Sequence, residues 1–299
     1  MSAHSAQSKS KILKPETLKL LNMKSVDIAG KFSIGSAGNP LCFIAGPCVI
    51  ESLDMSLQVA TELKKICNSL NINYIFKSSF DKANRSSIHS PRGLGITNGL
   101  KVLQKVKEQC DVPIITDVHE SWQCAPVAEV ADVLQIPAFL ARQTDLLVAA
   151  AQTGKVVNVK KGQFMAPWDM KNVVVKLQDA GTDKILLCER GTSFGYNNLV
   201  VDMTGLVEMR TLGYPIVFDA THSVQKPGGQ GTTTGGNRSM IPALMRAAIA
   251  VGVDAIFAEV HPHPDQALSD APNQLPLDGI NQLLATAVAL HKLILMNNE

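Results

Sequence analysis

The 299-residue sequence carries almost no excess of charge: 28 Lys and Arg face 26 Asp and Glu, for a formal net charge of +2. That balance excludes a general electrostatic drive toward nucleic acid or an anionic membrane, so an anionic ligand has to be held by local clusters of cations. Nor is there an unbroken apolar run of spanning length. The longest informative uncharged stretch, 32–50, is interrupted by Gly35, Gly38, Pro40, Gly46 and Pro47. The first fourteen residues place Lys9, Lys11 and Lys14 among serines and lack the apolar centre of a secretory signal, and they read as a mobile tail. The six cysteines, at 42, 48, 67, 110, 124 and 188, form no Cys-x-x-Cys pair. Five of them fall in strand-like or helix-like patterns, as expected of reduced thiols packed in the core of a cytoplasmic protein. No internal repeat is present, and a Gly-rich stretch at 227–236 lacks the Walker spacing.

What the sequence does have is apolar mass, 45% hydrophobic residues against 18% charged, which is enough for a sizeable core and excludes global disorder. From Leu41 onward, eight short apolar runs alternate with segments of helical period: 41–48, 73–80, 113–119, 133–138, 156–162, 184–191, 215–222 and 255–261. Between the first two, Val59, Leu63, Ile66 and Leu70 share one helical face. Gly154, Gly181, Gly213 and Gly252 each stand where a helix would end before a strand, and Ser121 and Asp145 are candidate N-caps. Eight strand–helix units in about 250 residues fit a closed (β/α)8 barrel better than an open doubly wound sheet. The domain reading is therefore a tail and lead-in over 1–23, a hairpin over 24–40 turning at Gly30-Lys31 and covering the barrel bottom, and a catalytic barrel over 41–299.

In such barrels the active site lies at the C-terminal mouth. The ends of the eight runs bring there Cys48; Lys77, Lys82, Asn84 and Arg85; Asp117; Gln135; Lys160; Arg190; His222; and Glu259. One strand-end lysine alone is ordinarily a solvated surface group, but eight polar ends in one bowl are a site. Lys77, Lys82, Arg85, Lys160 and Arg190 are more cations than a single carboxylate requires, and they suit ligands that together carry two phosphates. Cys48, His222, Glu259 and Asp270 mix soft and hard donors, as a site for Zn2+, Fe2+ or Mn2+ does, with His261 and His263 as second-choice ligands. Taken singly, Cys48 reads equally well as a packed thiol. His119 and Glu120 read as a loop pair orienting Asp117, and residues 226–239 as a lid or substrate loop.

These motifs resemble the 3-deoxy-D-manno-octulosonate 8-phosphate synthase family from about Leu41 to Asp278. The resemblance rests on FIAGPCVIES, FKSSFDKANRSSIHSPRGLG, PIITDVHE, LQIPAFLARQTDLL, NVKKGQFMAPWDM, CERGTSFGYNNLVVDM, FDATHSVQ and FAEVHPHPDQALSDAPNQ. It implies a (β/α)8 transferase, assembled as a homotetramer. The reaction implied is condensation of phosphoenolpyruvate with D-arabinose 5-phosphate and water, releasing inorganic phosphate, and the product enters lipopolysaccharide or pectin synthesis. Carried over residue by residue, Lys82, Lys160 and Arg190 hold the phosphoenolpyruvate phosphate and carboxylate, with Lys77, Ser79, Gln135 and Ala138 lining that subsite. Asn84, Arg85 and Ser86 grip the sugar phosphate, Asp117 meets the sugar hydroxyls, and Arg142 beside Phe139 reaches a neighbouring subunit's site. The catalytic set implied is Lys82, Asp117, Cys48, His222 and Asp270.

The family has a metal-dependent branch with Cys, and a metal-independent branch with Asn, at the position of Cys48. Cysteine here implies a divalent metal and no organic cofactor. The related synthase using erythrose 4-phosphate carries Lys-Pro-Arg-[Thr/Ser] where this chain has Lys82-Ala83-Asn84-Arg85-Ser86, and the extra Asn84 favours the five-carbon sugar. The remaining rival is a non-catalytic barrel that binds a sugar phosphate. Such a module has no need of both a cation cluster and a metal set.

Overall fold

The computed structural model describes residues 23–35, 38–229, 231 and 234–296. The expected tail and lead-in over 1–23 lies outside the described residues except for Met23. All eight apolar runs form parallel strands: Cys42–Gly46, Asn73–Lys77, Ile114–Asp117, Val133–Ile136, Val156–Lys160, Ile185–Glu189, Ile216–Asp219 and Ala255–His261. Each pairs with the next in sequence. The eighth closes the ring, pairing Ala255 with Val217 of the seventh strand and with Cys42 of the first. A helix follows each strand, so both faces of the sheet are covered and the strands can be apolar nearly throughout.

Alternation along the strands separates two cores. Residues such as Leu134, Ile136, Val157 and Val159 face the helices, while Val133, Val156, Ile75 and Phe257 fill the barrel interior. The hairpin expected over 24–40 belongs to the interior core. Its strands Val26–Ile28 and Phe32–Ile34 pair antiparallel around Ala29–Lys31, with Ala29 and Gly30 at φ 55° and 69°. Val26, Ile28 and Ile34 pack under the strands' N-terminal ends and plug the bottom. Lys24 ties this hairpin to the barrel through Asp183 at 2.5 Å and Tyr214 at 2.9 Å.

The four glycine stops are found as expected, with φ of 70°, 97°, 79° and 102° at Gly154, Gly181, Gly213 and Gly252. Neither expected N-cap is one. Ser121 is the first residue of a 3-10 turn, Ser121–Gln123, that Glu120 caps, because Gln123 reaches back to the His119 and Glu120 amides and fixes the turn one residue earlier. Asp145 lies inside the helix Thr144–Gln152, where its charge favours the positive helix start without capping it. All six cysteines are free and buried. Among the described residues, no helix is long and apolar enough to cross a membrane.

Candidate active site

A cavity of about 710 Å³ opens at the C-terminal mouth, walled by loops from around the barrel. Its lining includes Lys77, Lys82, Asn84, Arg85, Ser86, Asp117, Gln135, Ala138, Phe139, Lys160, Arg190, His222 and Asp270. Cys48, Ser79 and Glu259 are buried and bonded to these residues from beneath. Arg142 does not join them; it is exposed, and its carbonyl accepts from Lys176.

The cations are placed by the strand ends. Lys77 is buried, its ammonium 3.3 Å from the Cys48 carbonyl, 3.1 Å from Ser79 Oγ and 3.4 Å from Glu259 Oε1. Burial, with Lys82 close by, lowers its pKa. Burial works against the charge on Lys82 as well, but Cys48, Glu259, Asp117 and Asp270 around it outweigh burial and hold its pKa well above the usual lysine value. Lys160 Nζ donates to Asp219 at 2.6 Å and stands 3.9 Å above the Phe257 ring. Burial depresses Arg190, whose Nη2 donates to Gln225 at 2.7 Å while Nη1 is buried with no partner among the described residues. An unsatisfied guanidinium N–H at the cavity wall is suited to an anionic ligand.

Asp117 accepts from Ser79 Oγ at 2.5 Å and faces His119 Nε2 at 3.2 Å. Burial would raise its pKa, yet Lys77 and the His119 contact hold it well below the usual range. His119 thus orients Asp117 as expected of the loop pair, whereas Glu120 turns away to accept from Trp122. At the rim, Arg85 links its own loop to the last one by donating to the Pro91 and Leu268 carbonyls at 2.8 and 2.9 Å.

The thiol and carboxylate set also converges. Donor atoms of Cys48, Glu259 and Asp270 all lie within 4.8 Å of one another. His222 Nε2 stands 3.7 Å from both Glu259 Oε1 and Asp270 Oδ2. Glu259 Oε2 is buried without a hydrogen-bond partner among the described residues, the condition of a donor awaiting an acceptor of its lone pair, so these residues fit a divalent cation. Burial and Glu259 push the Cys48 thiol well up. Glu259 and Asp270 are lowered despite their burial, Glu259 mainly by Lys82 and His222 and Asp270 mainly by its contact with His222. The second-choice ligands turn elsewhere: His261 faces Glu51 at 3.4 Å, and His263 is exposed.

Several site residues escaped the sequence reading. Asp219, fully buried, is the true end of the seventh strand, whereas the sequence run 215–222 continues three residues further to His222, which lies in the following turn. Gln225 and Ser269 hold Arg190 and Cys48. The period-two phase of Val217 and Asp219 was the available signal for Asp219.

Fold and site together define a (β/α)8 barrel with a cation-rich cavity at its C-terminal mouth, a construction that serves anionic small molecules. The DAHP synthetase I family model matches residues 18–296, and the chain belongs to that family. Similar proteins include the 2-dehydro-3-deoxyphosphooctonate aldolase of Fusobacterium nucleatum, 61% identical over 251 residues, covering 84% of this chain and 90% of that protein. The same-named proteins of Cyanothece sp. and Geobacter sp. are 60% and 59% identical, covering 90% and 85% of this chain and 99% and 93% of their own.

Proposed function

We propose that this enzyme condenses phosphoenolpyruvate with D-arabinose 5-phosphate and water, giving 3-deoxy-D-manno-octulosonate 8-phosphate and inorganic phosphate. The observation that carries the reading is the meeting, in one cavity, of Lys82, Lys160 and Arg190 at the inner wall with Asn84, Arg85 and Ser86 at the rim. These are two separated anion-binding groups. The names of the relatives support the same reaction.

In this reading the inner cations bind phosphoenolpyruvate and the rim residues hold the sugar phosphate, bringing C3 against the aldehyde carbon. C3 bonds to that carbon while water adds at C2, and phosphate leaves with cleavage of its C–O bond. Negative charge collects on the aldehyde oxygen and positive charge at C2. Lys82 answers the first, and the ionised Asp117 holds the sugar hydroxyls in place. A divalent metal held by Cys48, His222, Glu259 and Asp270 would supply Lewis-acid polarisation there. Residues 41–299 act as one catalytic domain closed below by the 24–40 hairpin.

The working form in this proposal is a homotetramer. Trp122, Phe139, Phe164, Trp168 and Phe194, all 54–70% exposed, crown the mouth-side loops next to Arg142, a surface suited to burial against another copy. The free thiols are consistent with a reducing cytoplasm.

The test is phosphoenolpyruvate consumption with arabinose 5-phosphate or erythrose 4-phosphate, before and after chelator dialysis and with single ions restored. Consumption with the five-carbon sugar is expected. Binding of phosphoenolpyruvate without turnover under every metal condition would leave only the non-catalytic barrel standing.

A further inference from the structure

We propose that Asn158 is a positioning residue that fixes the amide of Gln135 with its N–H2 end toward the cavity, so that Gln135 presents only donors to the anionic substrate. This rests on reading the inner cavity as the phosphoenolpyruvate subsite.

Asn158 lies mid-strand in Val156–Lys160, on the interior phase shared by Val156 below and Lys160 above. It is wholly buried in the barrel interior. Its strand neighbour in register is Gln135, itself on the interior phase with Val133. Asn158 Nδ2 donates to Gln135 Oε1 at 3.2 Å, and Asn158 Oδ1 has no partner among the described residues; the reversed pairing would instead bury the Asn158 N–H2 without an acceptor, a costlier orphan than a carbonyl oxygen.

A side-chain amide has one accepting and one donating end. With Oε1 engaged from below, the end of Gln135 left for the cavity it lines is Nε2, which has no partner among the described residues. A carboxylate or phosphate oxygen accepts from such a group and would be repelled by the oxygen end. Gln135 lines the cavity beside the cations Lys77 and Lys160 and carries no charge of its own, so what it offers an anion depends on which end of its amide faces the cavity.

The cost of the arrangement points the same way. A half-satisfied buried amide costs stability that the apolar side chain of a leucine of similar size would not itself incur. Packing alone gives no reason for asparagine at 158, and the bond to Gln135 does.

The test compares Asn158→Leu, with Asn158→Ala as a second variant should leucine fail to fold, against wild type, Gln135→Ala and the double variant. Asn158→Leu should raise KM for phosphoenolpyruvate about tenfold, the size of effect expected for losing an oriented hydrogen bond to a charged group, and move KM for arabinose 5-phosphate by less than about twofold. Its thermal midpoint should change little, because the unpartnered Asn158 Oδ1 is removed while Gln135 Oε1 loses its donor. In the Gln135→Ala background, the same substitution should add nothing to KM for phosphoenolpyruvate.

An unchanged KM for phosphoenolpyruvate in Asn158→Leu, or an equal further rise on top of Gln135→Ala, overturns the inference while leaving the proposed reaction in place. A wild-type protein that does not turn over phosphoenolpyruvate with either sugar phosphate overturns the reading of the cavity itself, and the inference with it.

Discussion

Lys160 and His222 are joined through one oxygen atom: Asp219 Oδ2 lies 2.6 Å from Lys160 Nζ and 2.7 Å from His222 Nδ1. Burial alone would raise the pKa of Asp219, but His222 and Lys160 pull it far below the usual carboxylate range. The carboxylate therefore fixes the Lys160 ammonium at the proposed inner anion subsite and, through Nδ1, turns His222 Nε2 toward Glu259 and Asp270. Asp219→Asn should lower kcat/KM and metal affinity together, each by about 10–100-fold, as losses of a ligand-orienting carboxylate do. Metal titration of the stripped variant beside steady-state kinetics checks this. Loss of one quantity without the other would show that the shared oxygen does not couple the two halves of the site.

How much of this was legible in the sequence follows from the range of each interaction. The eight barrel strands could be read because parallel strands covered on both faces are apolar nearly throughout, and the hairpin because Gly30 marks its turn. Strand ends were less legible, since an apolar run does not reveal where ladder bonding stops. Hence the run 215–222 overshoots the seventh strand, which stops at Asp219. Asn158 and Asp219 went unnoticed because their partners, Gln135 and Lys160, are 23 and 59 positions away. Only closure of the barrel makes those pairs. The cations were legible because charged side chains at apolar strand ends are conspicuous against a nearly neutral background.

Lys161, beside Lys160 in sequence, is fully buried with Nζ 3.5 Å from Glu189 Oε2 and 2.9 Å from Thr192 Oγ1. Glu189 Oε1 in turn accepts from the Arg190 and Gly191 amides. Lys161→Met would strand the Glu189 carboxylate in the core, so it should cost about 3–5 kcal/mol of stability. Denaturant unfolding measures the loss; a change below about 1 kcal/mol would mean that Glu189 is satisfied without its ion partner.

At the opposite end of the barrel, hydrogen bonds from Lys24, Tyr214 and Gln178 hold the pKa of Asp183 down to about 2. Its unfolded value is about 3.9, so the folded protein binds fewer protons between the two values. The stabilisation from docking the hairpin is fully present above about pH 4 and fades as the pH falls to about 2. The pair is exposed, so its worth is at most about 1 kcal/mol and salt reduces it. Thermal midpoints measured from pH 5 to pH 2 should fall less steeply in Asp183→Asn than in wild type, and parallel curves would refute the linkage.

Arg85 uses Nε and Nη2 on the Pro91 and Leu268 carbonyls, which sets its guanidinium at the cavity rim. Arg85→Ala should weaken arabinose 5-phosphate binding by about 1.5–3 kcal/mol, the loss of a charged hydrogen bond, with a much smaller effect on phosphoenolpyruvate. Calorimetric titration of each substrate separates the two. Equal losses would move Arg85 out of the sugar-phosphate subsite.

Cys48 supplies the only soft donor to the set it forms with Glu259 and Asp270, and its Sγ lies 3.0 Å from Ser269 Oγ and 3.4 Å from Asp270 Oδ2. Cys48→Asn removes that donor but keeps a polar group of similar reach to meet Ser269. The carboxylate charge on Glu259 does not depend on a metal for compensation, because Lys77 and Lys82 stand 3.4 and 3.6 Å from its Oε1. The variant should therefore fold, lose tight divalent-metal binding and retain part of its turnover in the presence of chelator. Elemental analysis of the purified variant gives the metal content, and activity with and without chelator gives the rest. Stoichiometric metal still bound after the substitution would remove Cys48 from the ligand set. Metal lost together with all turnover would show instead that Lys77 and Lys82 cannot keep the carboxylates in working order without the cation.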